Sequence, residues 1–192
     1  ITVNASGQND APTAADNTVT TNEDTNHTFA ASEFNFTDVD GDSLDHISIE
    51  TLPSNGTLLL SGNAVSAGDQ ISVANISNLV FRPVANANGD DYDTFTFSVN
   101  DGTVDSGTYT MTIDVTAVND APLATDDADA VNEDATITES SGSELLVADD
   151  TDTDGNTLTV TQIAITGGSN SSVTSSTTYS NGTSITGTYG TL

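Results

Sequence analysis

The side chains of this sequence that can bind a ligand are carboxylates and amides grouped at short spacings. Two Asp-x-Asp-Gly motifs carry the densest groups: Asp38, Asp40 and Asp42 in the first, and Asp152, Asp154 and Asn156 in the second. Ca²⁺ prefers such oxygen ligands and takes about six to eight of them in irregular geometry. Zinc is disfavoured, because the chain has no Cys and only 2 His. The motifs therefore predict calcium sites.

The charge of the chain supports this prediction and excludes several partners. Its 29 acidic residues face one basic residue, Arg82, which gives a formal net charge of -28 over 192 residues. Cations are therefore expected to neutralise the carboxylates and to make folding favourable. Nucleic acids and anionic membrane surfaces are excluded as partners, because their recognition needs Lys and Arg. The sequence has no apolar run near the ~20 residues of a membrane span, so no membrane insertion is expected.

An internal repeat indicates the domain organisation. Asn9-Asp10-Ala11-Pro12 recurs 110 positions later as Asn119-Asp120-Ala121-Pro122, and Asn22-Glu23-Asp24 recurs at the same displacement as Asn132-Glu133-Asp134. The two Asp-x-Asp-Gly motifs are displaced by 114. This period suits a whole β-sandwich domain of roughly 100 residues. We predict the end of a preceding repeat at 1–11, a complete repeat at 12–120 and an incomplete repeat at 121–192.

The elements that position the acidic motifs are predicted to be strands. Short runs with β-branched or aromatic residues at alternate positions occur at 17–21, 27–31, 46–51, 57–60, 76–81, 95–99 and 109–115. No segment has convincing helical periodicity, so an all-β sandwich of about seven strands is expected. Its predicted core contains Phe34, Phe36, Leu79, Phe81, Phe95, Phe97 and Met111.

These motifs carry a family likeness. The Asn-Asp-Ala-Pro segment, the Asn-Glu-Asp segment ten residues later and the Asp-x-Asp-Gly-Asp motif resemble the bacterial cadherin-like repeats of giant RTX-type surface adhesins. The second unit is similar to a VCBS repeat through residues 146–160 and 187–192. The resemblance implies tandem Ig-like, Greek-key sandwiches joined end to end by calcium-binding linkers. It also implies an extracellular or cell-surface location.

Strand lengths place the acidic segments at the two ends of such a sandwich. A strand rises about 3.3 Å per residue, so the chain from Pro12 to Glu23 crosses the whole domain. If the strands then alternate in direction, the incoming linker, the first Asp-x-Asp-Gly motif and the last hairpin all lie at the end of the sandwich where the chain enters. The metal ligands predicted at that end are Asn9, Asp10, Asp38, Asp40, Asp42 and Asp101.

The opposite end is predicted to hold an interdomain calcium site. The same reasoning gathers Glu23, the 89–93 loop, the outgoing linker and the second Asp-x-Asp-Gly motif there. Glu133, the repeat counterpart of Glu23, is expected to have the same role in the second unit. The ligands predicted for these positions are Glu23, Asp90, Asp91, Asn119, Asp120, Glu133, Asp150, Asp152, Asp154 and Asn156.

The function predicted from these features is that of a calcium-stiffened spacer in a secreted or surface adhesin, with neighbouring repeats as its partners. An enzyme is not expected, because no nucleophile motif is present and His27 and His46 are isolated. No small-molecule substrate is expected. Two alternatives stay open: a calcium-dependent carbohydrate- or peptide-binding module, and a filament or sheath subunit that residues 1–6 assemble by strand addition to a neighbouring chain.

Overall fold

The computed structural model describes residues 7–126 and 149–159, together with four short strands at 162–163, 171–172, 186–187 and 190–191. The chain divides into two compact units, Ile1–Val118 and Asn119–Leu192. The domain limits derived from the repeat stay a prediction. No helix among the described residues is both long and apolar enough to cross a membrane.

The first unit is built from two sheets. Its strands are β1 (Asn17–Asn22), β2 (His27–Thr28), β3 (His46–Thr51), β4 (Gly56–Leu60), β5 (Asn63–Ala64), β6 (Gln70–Ser72), β7 (Leu79–Pro83), β8 (Gly89–Asn100) and β9 (Tyr109–Thr116). One sheet has the order β1-β9-β8-β3-β6 and the other β2-β7-β4-β5. Among the described strands of this unit, β1 and β9 pair in parallel and the other pairs are antiparallel. The predicted all-β sandwich is confirmed.

Alternating apolar residues of both sheets form the core between them. On β8 and β9 the inward positions are fully buried, and Phe29 packs edge-on against Phe95, as Phe34 does against Phe97. Such aromatic contacts add to the stabilisation from apolar burial. The predicted core residues are buried except Phe36, which packs against the core while partly exposed.

Two of the predicted strands were wrong in part. The strand predicted at 27–31 ends at Thr28, and Ala31–Phe34 forms a 3₁₀ helix whose start is fixed by the Glu33 carboxylate accepting a hydrogen bond from the Ala30 N–H at 2.9 Å. The strand predicted at 76–81 begins only at Leu79, because Ile76 is buried within a second 3₁₀ helix, Val73–Asn78. Each 3₁₀ helix therefore buries one apolar residue, Phe34 or Ile76, without extended backbone.

The segment predicted as an acidic loop at 89–93 is part of β8. Gly89 pairs with Val115 and Asp93 with Ile113, so three residues of β8 lie opposite a single residue of β9. This is a β-bulge, which bends the strand and turns its extra residues away from the ladder. Asp90 and Asp91 therefore lie in a bulge of a paired strand.

The second unit has two short antiparallel pairs in its described part. Strand β10 (Gln162–Ile163) pairs with β11 (Ser171–Ser172), and β12 (Thr186–Gly187) with β13 (Gly190–Thr191). An antiparallel bridge joins Leu123 to Thr151, and its counterpart in the first unit joins Thr13 to Thr37. Each bridge brings the segment after an Asn-Asp linker beside an Asp-x-Asp-Gly motif.

Candidate metal centre

The first Asp-x-Asp-Gly motif folds into a tight turn around one carboxylate. Asp38 Oδ1 accepts hydrogen bonds from the backbone N–H groups of Asp40 at 2.8 Å and Asp42 at 3.1 Å. Gly41 has φ of 84°, a value that glycine adopts without strain. Asp38, Asp40 and Asp42 each offer an oxygen, and these oxygens all lie within 4.8 Å of one another.

The incoming linker is bonded to this turn and to the β8–β9 hairpin. The backbone N–H of Asp10 donates to Asp40 Oδ2 at 2.7 Å. Asn9 Nδ2 donates to Asp101 Oδ2 at 2.9 Å and to the carbonyl of Asp10 at 2.9 Å. Three segments distant in sequence therefore meet at one end of the sandwich. The structure therefore brings Asn9, Asp10 and Asp101 to the end of the sandwich at which they are predicted.

Asp101 is held in a charged state by its surroundings. Its pKa is lowered, first by the hydrogen bond from the Asn9 side chain and then by the one from the Val104 N–H, against the opposing effect of burial. The Thr103 N–H donates to Asp101 Oδ1 at 2.7 Å and the Val104 N–H at 2.9 Å. An ionised carboxylate with a fixed orientation is the form that a hard cation binds.

One oxygen of this cluster is buried without a hydrogen-bond partner. Asp38 Oδ2 has no protein donor within reach, although Oδ1 of the same carboxylate accepts two backbone N–H groups. A buried, unpaired carboxylate oxygen is costly unless a cation or a donor satisfies it. The donor set is all oxygen and strongly negative, so it fits a calcium ion held by Asp38, Asp40, Asp42 and neighbouring groups. We call this cluster, with Asn9, Asp10 and Asp101, the first site.

The second unit builds the same arrangement from its own residues. The Asp120 N–H donates to Asp154 Oδ2 at 2.6 Å, as Asp10 does to Asp40. Asp152 Oδ1 accepts from the N–H groups of Asp154 at 3.0 Å and Asn156 at 3.1 Å. Asn119 Nδ2 donates to the carbonyl of Asp120 at 2.8 Å. We call this cluster the second site: Asn119, Asp120, Asp152, Asp154 and Asn156.

The second site differs from the first in its third turn residue and in the hydrogen bond that this residue makes. Its third turn residue is Asn156, where the first site has Asp42, and Asn156 Nδ2 donates to Asn119 Oδ1 at 2.9 Å. Asp150, a predicted ligand, bonds instead to the segment that follows the linker: its Oδ1 accepts a hydrogen bond from the Thr125 N–H at 2.8 Å. The structure thus places Asp150 with Thr125.

Glu23 is 3% exposed and both of its oxygens are occupied. Oε2 accepts from Asn88 Nδ2 at 3.0 Å and Oε1 from the Val118 N–H at 2.6 Å. The Asn88 side chain is the first cause of its lowered pKa and the Val118 backbone the second, while burial opposes them. Glu23 ties β1 to the segment after β9 in this structure, and its role as a metal ligand stays a prediction.

Among the described residues, the acidic residues of the β8 bulge, Asp90 and Asp91, form no cluster with Glu23. The Asp91 N–H donates to Asp114 Oδ1 at 2.8 Å, and Asp90 is exposed. The three-carboxylate group at Asp38, Asp40 and Asp42 is the one that the described part of the chain forms with metal-binding spacing. Glu133 lies outside the described residues, so its predicted role stays a prediction.

Sequence reasoning missed a carboxylate that shapes the fold. Asp93 is 6% exposed, and its oxygens accept from the N–H groups of Ser54 at 3.0 Å, Asn55 at 2.6 Å and Thr94 at 2.9 Å. This carboxylate joins the turn before β4 to β8. The sequence signal for its burial was its place two residues before Phe95, in register with Phe97 and Val99, but its hydrogen-bond partners follow from the fold.

The paired sheets, with β1 parallel to β9 at one edge, define an immunoglobulin-like β-sandwich. Residues 9–114 match the family model of the bacterial Ig domain, and the chain belongs to this family. A comparison with the curated proteins finds no match. Bacterial Ig domains are typically structural, non-enzymatic modules, usually of extracellular or surface proteins, and this chain fits a repeat module of such a protein.

Proposed function

We propose that this chain is a calcium-stabilised spacer of a secreted or cell-surface bacterial adhesin. Its Ig-like units would hold an adhesive part of the parent protein at a distance from the cell and so support adhesion or biofilm formation. We further propose that the two units are a cadherin-like repeat and a VCBS repeat, the families that their motifs resemble. Neighbouring repeats of the same protein are the partners that it implies.

The observation that carries this proposal is the repetition of one set of contacts. In both units, a linker N–H donates a hydrogen bond to the second Asp of the motif, and the first Asp accepts hydrogen bonds from two backbone N–H groups. In both units, the linker Asn side chain also donates to the backbone carbonyl of the next residue. Asp and Asn turns form readily on their own, but a solvated turn has no need of a particular linker. A repeated linker contact favours a common ligand.

Calcium at these sites would fix each incoming linker to the unit that follows it. The first site joins residues 9–10 to the 38–42 turn and to Asp101, and the second joins residues 119–120 to the 152–156 turn. An ion that binds only the folded form stabilises it by mass action, by about 2.7 kcal/mol when its concentration is 100 times the Kd. Without the ion, the carboxylates that meet at each site repel one another.

Amide hydrogen exchange tests the proposal at single residues. We expect calcium to slow exchange of the Asp10 and Asp120 N–H groups, because their acceptors Asp40 and Asp154 become fixed by the ion. The measurement compares the chain in excess calcium with the chain in chelator at equal ionic strength. In the variant Asp38→Asn/Asp40→Asn, calcium should no longer slow exchange of the Asp10 N–H but should still slow exchange of the Asp120 N–H.

The variant Asp152→Asn/Asp154→Asn is the matched counterpart, and it should lose the effect at Asp120 alone. Magnesium at the same concentration serves as the ion control, since it demands near-octahedral geometry and retains its waters. Equal exchange rates in calcium and in chelator at both amides would refute the calcium-stabilised linker.

A further inference from the structure

We infer that the two candidate sites are not equivalent and that calcium fills the first site before the second. This inference rests on the proposed function, since it requires that calcium binds at both sites. The order follows from three differences between the sites in charge, in the state of one linker amide and in the burial of one carboxylate oxygen.

The first difference is charge. At the matched positions of the two turns, the first site has the carboxylates Asp38, Asp40 and Asp42, whereas the second site has Asp152, Asp154 and the amide of Asn156. The number of charged ligands is one of the two properties that set calcium affinity in protein sites, the other being rigidity. The replacement of Asp42 by Asn156 removes one charge from otherwise matching turns.

The second difference is the amide of the linker asparagine. Asn9 directs its Nδ2 at Asp101 and at a backbone carbonyl, and its Oδ1 accepts no hydrogen bond among the described residues. At the second site, Asn119 Oδ1 already accepts from Asn156 Nδ2 at 2.9 Å. An ion that recruits the Asn119 oxygen has to break this bond. The Asn9 oxygen is available without such a loss.

The third difference is a buried carboxylate oxygen, which indicates a ligand whatever the number of acidic residues at the site. Asp38 Oδ2 is buried and unpartnered, whereas Asp152, its counterpart, has no oxygen in that state. Binding a cation relieves the cost of the unpaired buried oxygen, and this gain exists at the first site alone. All three differences therefore act in the same direction.

Sequential filling gives this segment a graded response to calcium. At an intermediate concentration, the linker at residues 9–10 is fixed to its unit while the linker at 119–120 is not. As the calcium concentration rises, the linker at residues 9–10 would therefore become ordered before the linker at residues 119–120.

Calorimetric titration of the calcium-free chain with CaCl₂ tests the order. We expect two binding steps whose dissociation constants differ by about tenfold or more, since charge count tunes such sites over decades. Asp38→Asn/Asp40→Asn should abolish the tighter step and Asp152→Asn/Asp154→Asn the weaker one. Exchanging the two turn residues, Asp42→Asn with Asn156→Asp, keeps the net charge constant and should bring the two dissociation constants closer together. The two double variants each remove two charges and so control for each other, while Asp126→Asn removes one charge at an exposed position outside both sites.

The outcomes separate the inference from the proposed function. Two steps with the assigned residues support the inference. Two sites of equal affinity, or loss of the tighter step on substituting Asp152 and Asp154, overturn the order and leave the calcium-stabilised spacer intact. The absence of binding in the intact chain overturns both.

Discussion

The aspartates of this chain perform two different tasks, although their residue type is the same. Asp40 is exposed and binds a linker N–H, while Asp93 is buried and accepts three backbone N–H groups from two segments. The repeated spacing of the Asp-x-Asp-Gly motif predicted the first task. The second depends on which backbone groups another strand presents, and this information is not local in sequence.

Substitution of Asp93 by Asn is expected to destabilise the first unit by about 1–3 kcal/mol. The amide NH₂ would face backbone donors at Ser54, Asn55 or Thr94, so at least one buried N–H would lose its acceptor. Urea unfolding of the chain measures the effect.

The matched control is Asp126→Asn, which removes the same charge at an exposed position. A loss of stability of equal size in both variants would show that charge, and not the buried hydrogen bonds, is responsible.

The lowered pKa of Glu23 predicts acid sensitivity. Its hydrogen bonds from Asn88 and Val118 favour the ionised form in the folded state. A carboxylate with a lowered folded pKa contributes stability that is fully present above its unfolded pKa, about 4.3, and is lost as the pH falls below it. Between about pH 5 and pH 3, the chain should therefore lose more stability than its Glu23→Gln variant, both studied in chelator.

Denaturant unfolding at a series of pH values checks this expectation. Parallel pH profiles for the two proteins in that window would contradict the role assigned to Glu23. Asp126→Asn supplies the profile for removal of an exposed carboxylate.

At the scale of elements, long strands with clear alternation were predictable and short ones were not. Strands β3, β8 and β9 carry apolar residues at alternate positions over much of their length, and that pattern indicates which face is buried. Strands β5 and β6 have two and three residues, too few to show a period. The 3₁₀ helix Val73–Asn78 buries Ile76 through tertiary packing, which no local pattern indicates.

The pairing of β4 with β7 leads to a prediction for Gly56. A Cβ at this position would overlap the buried Phe81 ring and lie 2.9 Å from the Arg82 carbonyl oxygen. Since Phe81 is enclosed in the core, Gly56→Ala should destabilise the first unit by about 1–3 kcal/mol through overpacking.

Gly107→Ala is the matched control, because a Cβ there meets nothing within 4 Å. Thermal unfolding of both variants in excess calcium gives the comparison. An unchanged melting temperature for Gly56→Ala would mean that the two strands are further apart than the structure places them.

At the scale of the whole molecule, the sequence predicted the meeting of distant segments better than their detailed contacts. The 110-residue repeat and strand length together placed Asn9, Asp10 and Asp101 beside the 38–42 turn. The differences between the sites, such as the hydrogen bond between Asn156 and Asn119, depend on side-chain orientation, which the spacing of the motifs does not determine.

The net charge of -28 predicts a marked response to salt in the absence of calcium. Raising NaCl from about 0.01 M to about 1 M shortens the Debye length from about 30 Å to about 3 Å, and so weakens repulsion between carboxylates. The chelated chain should therefore melt at a higher temperature in high salt. A melting temperature that does not change with salt would show that self-repulsion does not limit its stability.

Thermal unfolding with and without calcium, at high and constant ionic strength, measures directly whether calcium stabilises the first unit. Calcium at about 100 times its Kd is expected to stabilise the first unit by roughly 2.7 kcal/mol, a gain that Asp38→Asn/Asp40→Asn should remove and Asp126→Asn should retain. Equal melting temperatures in calcium and in chelator, or an equal calcium response in the Asp38→Asn/Asp40→Asn variant, would contradict this expectation.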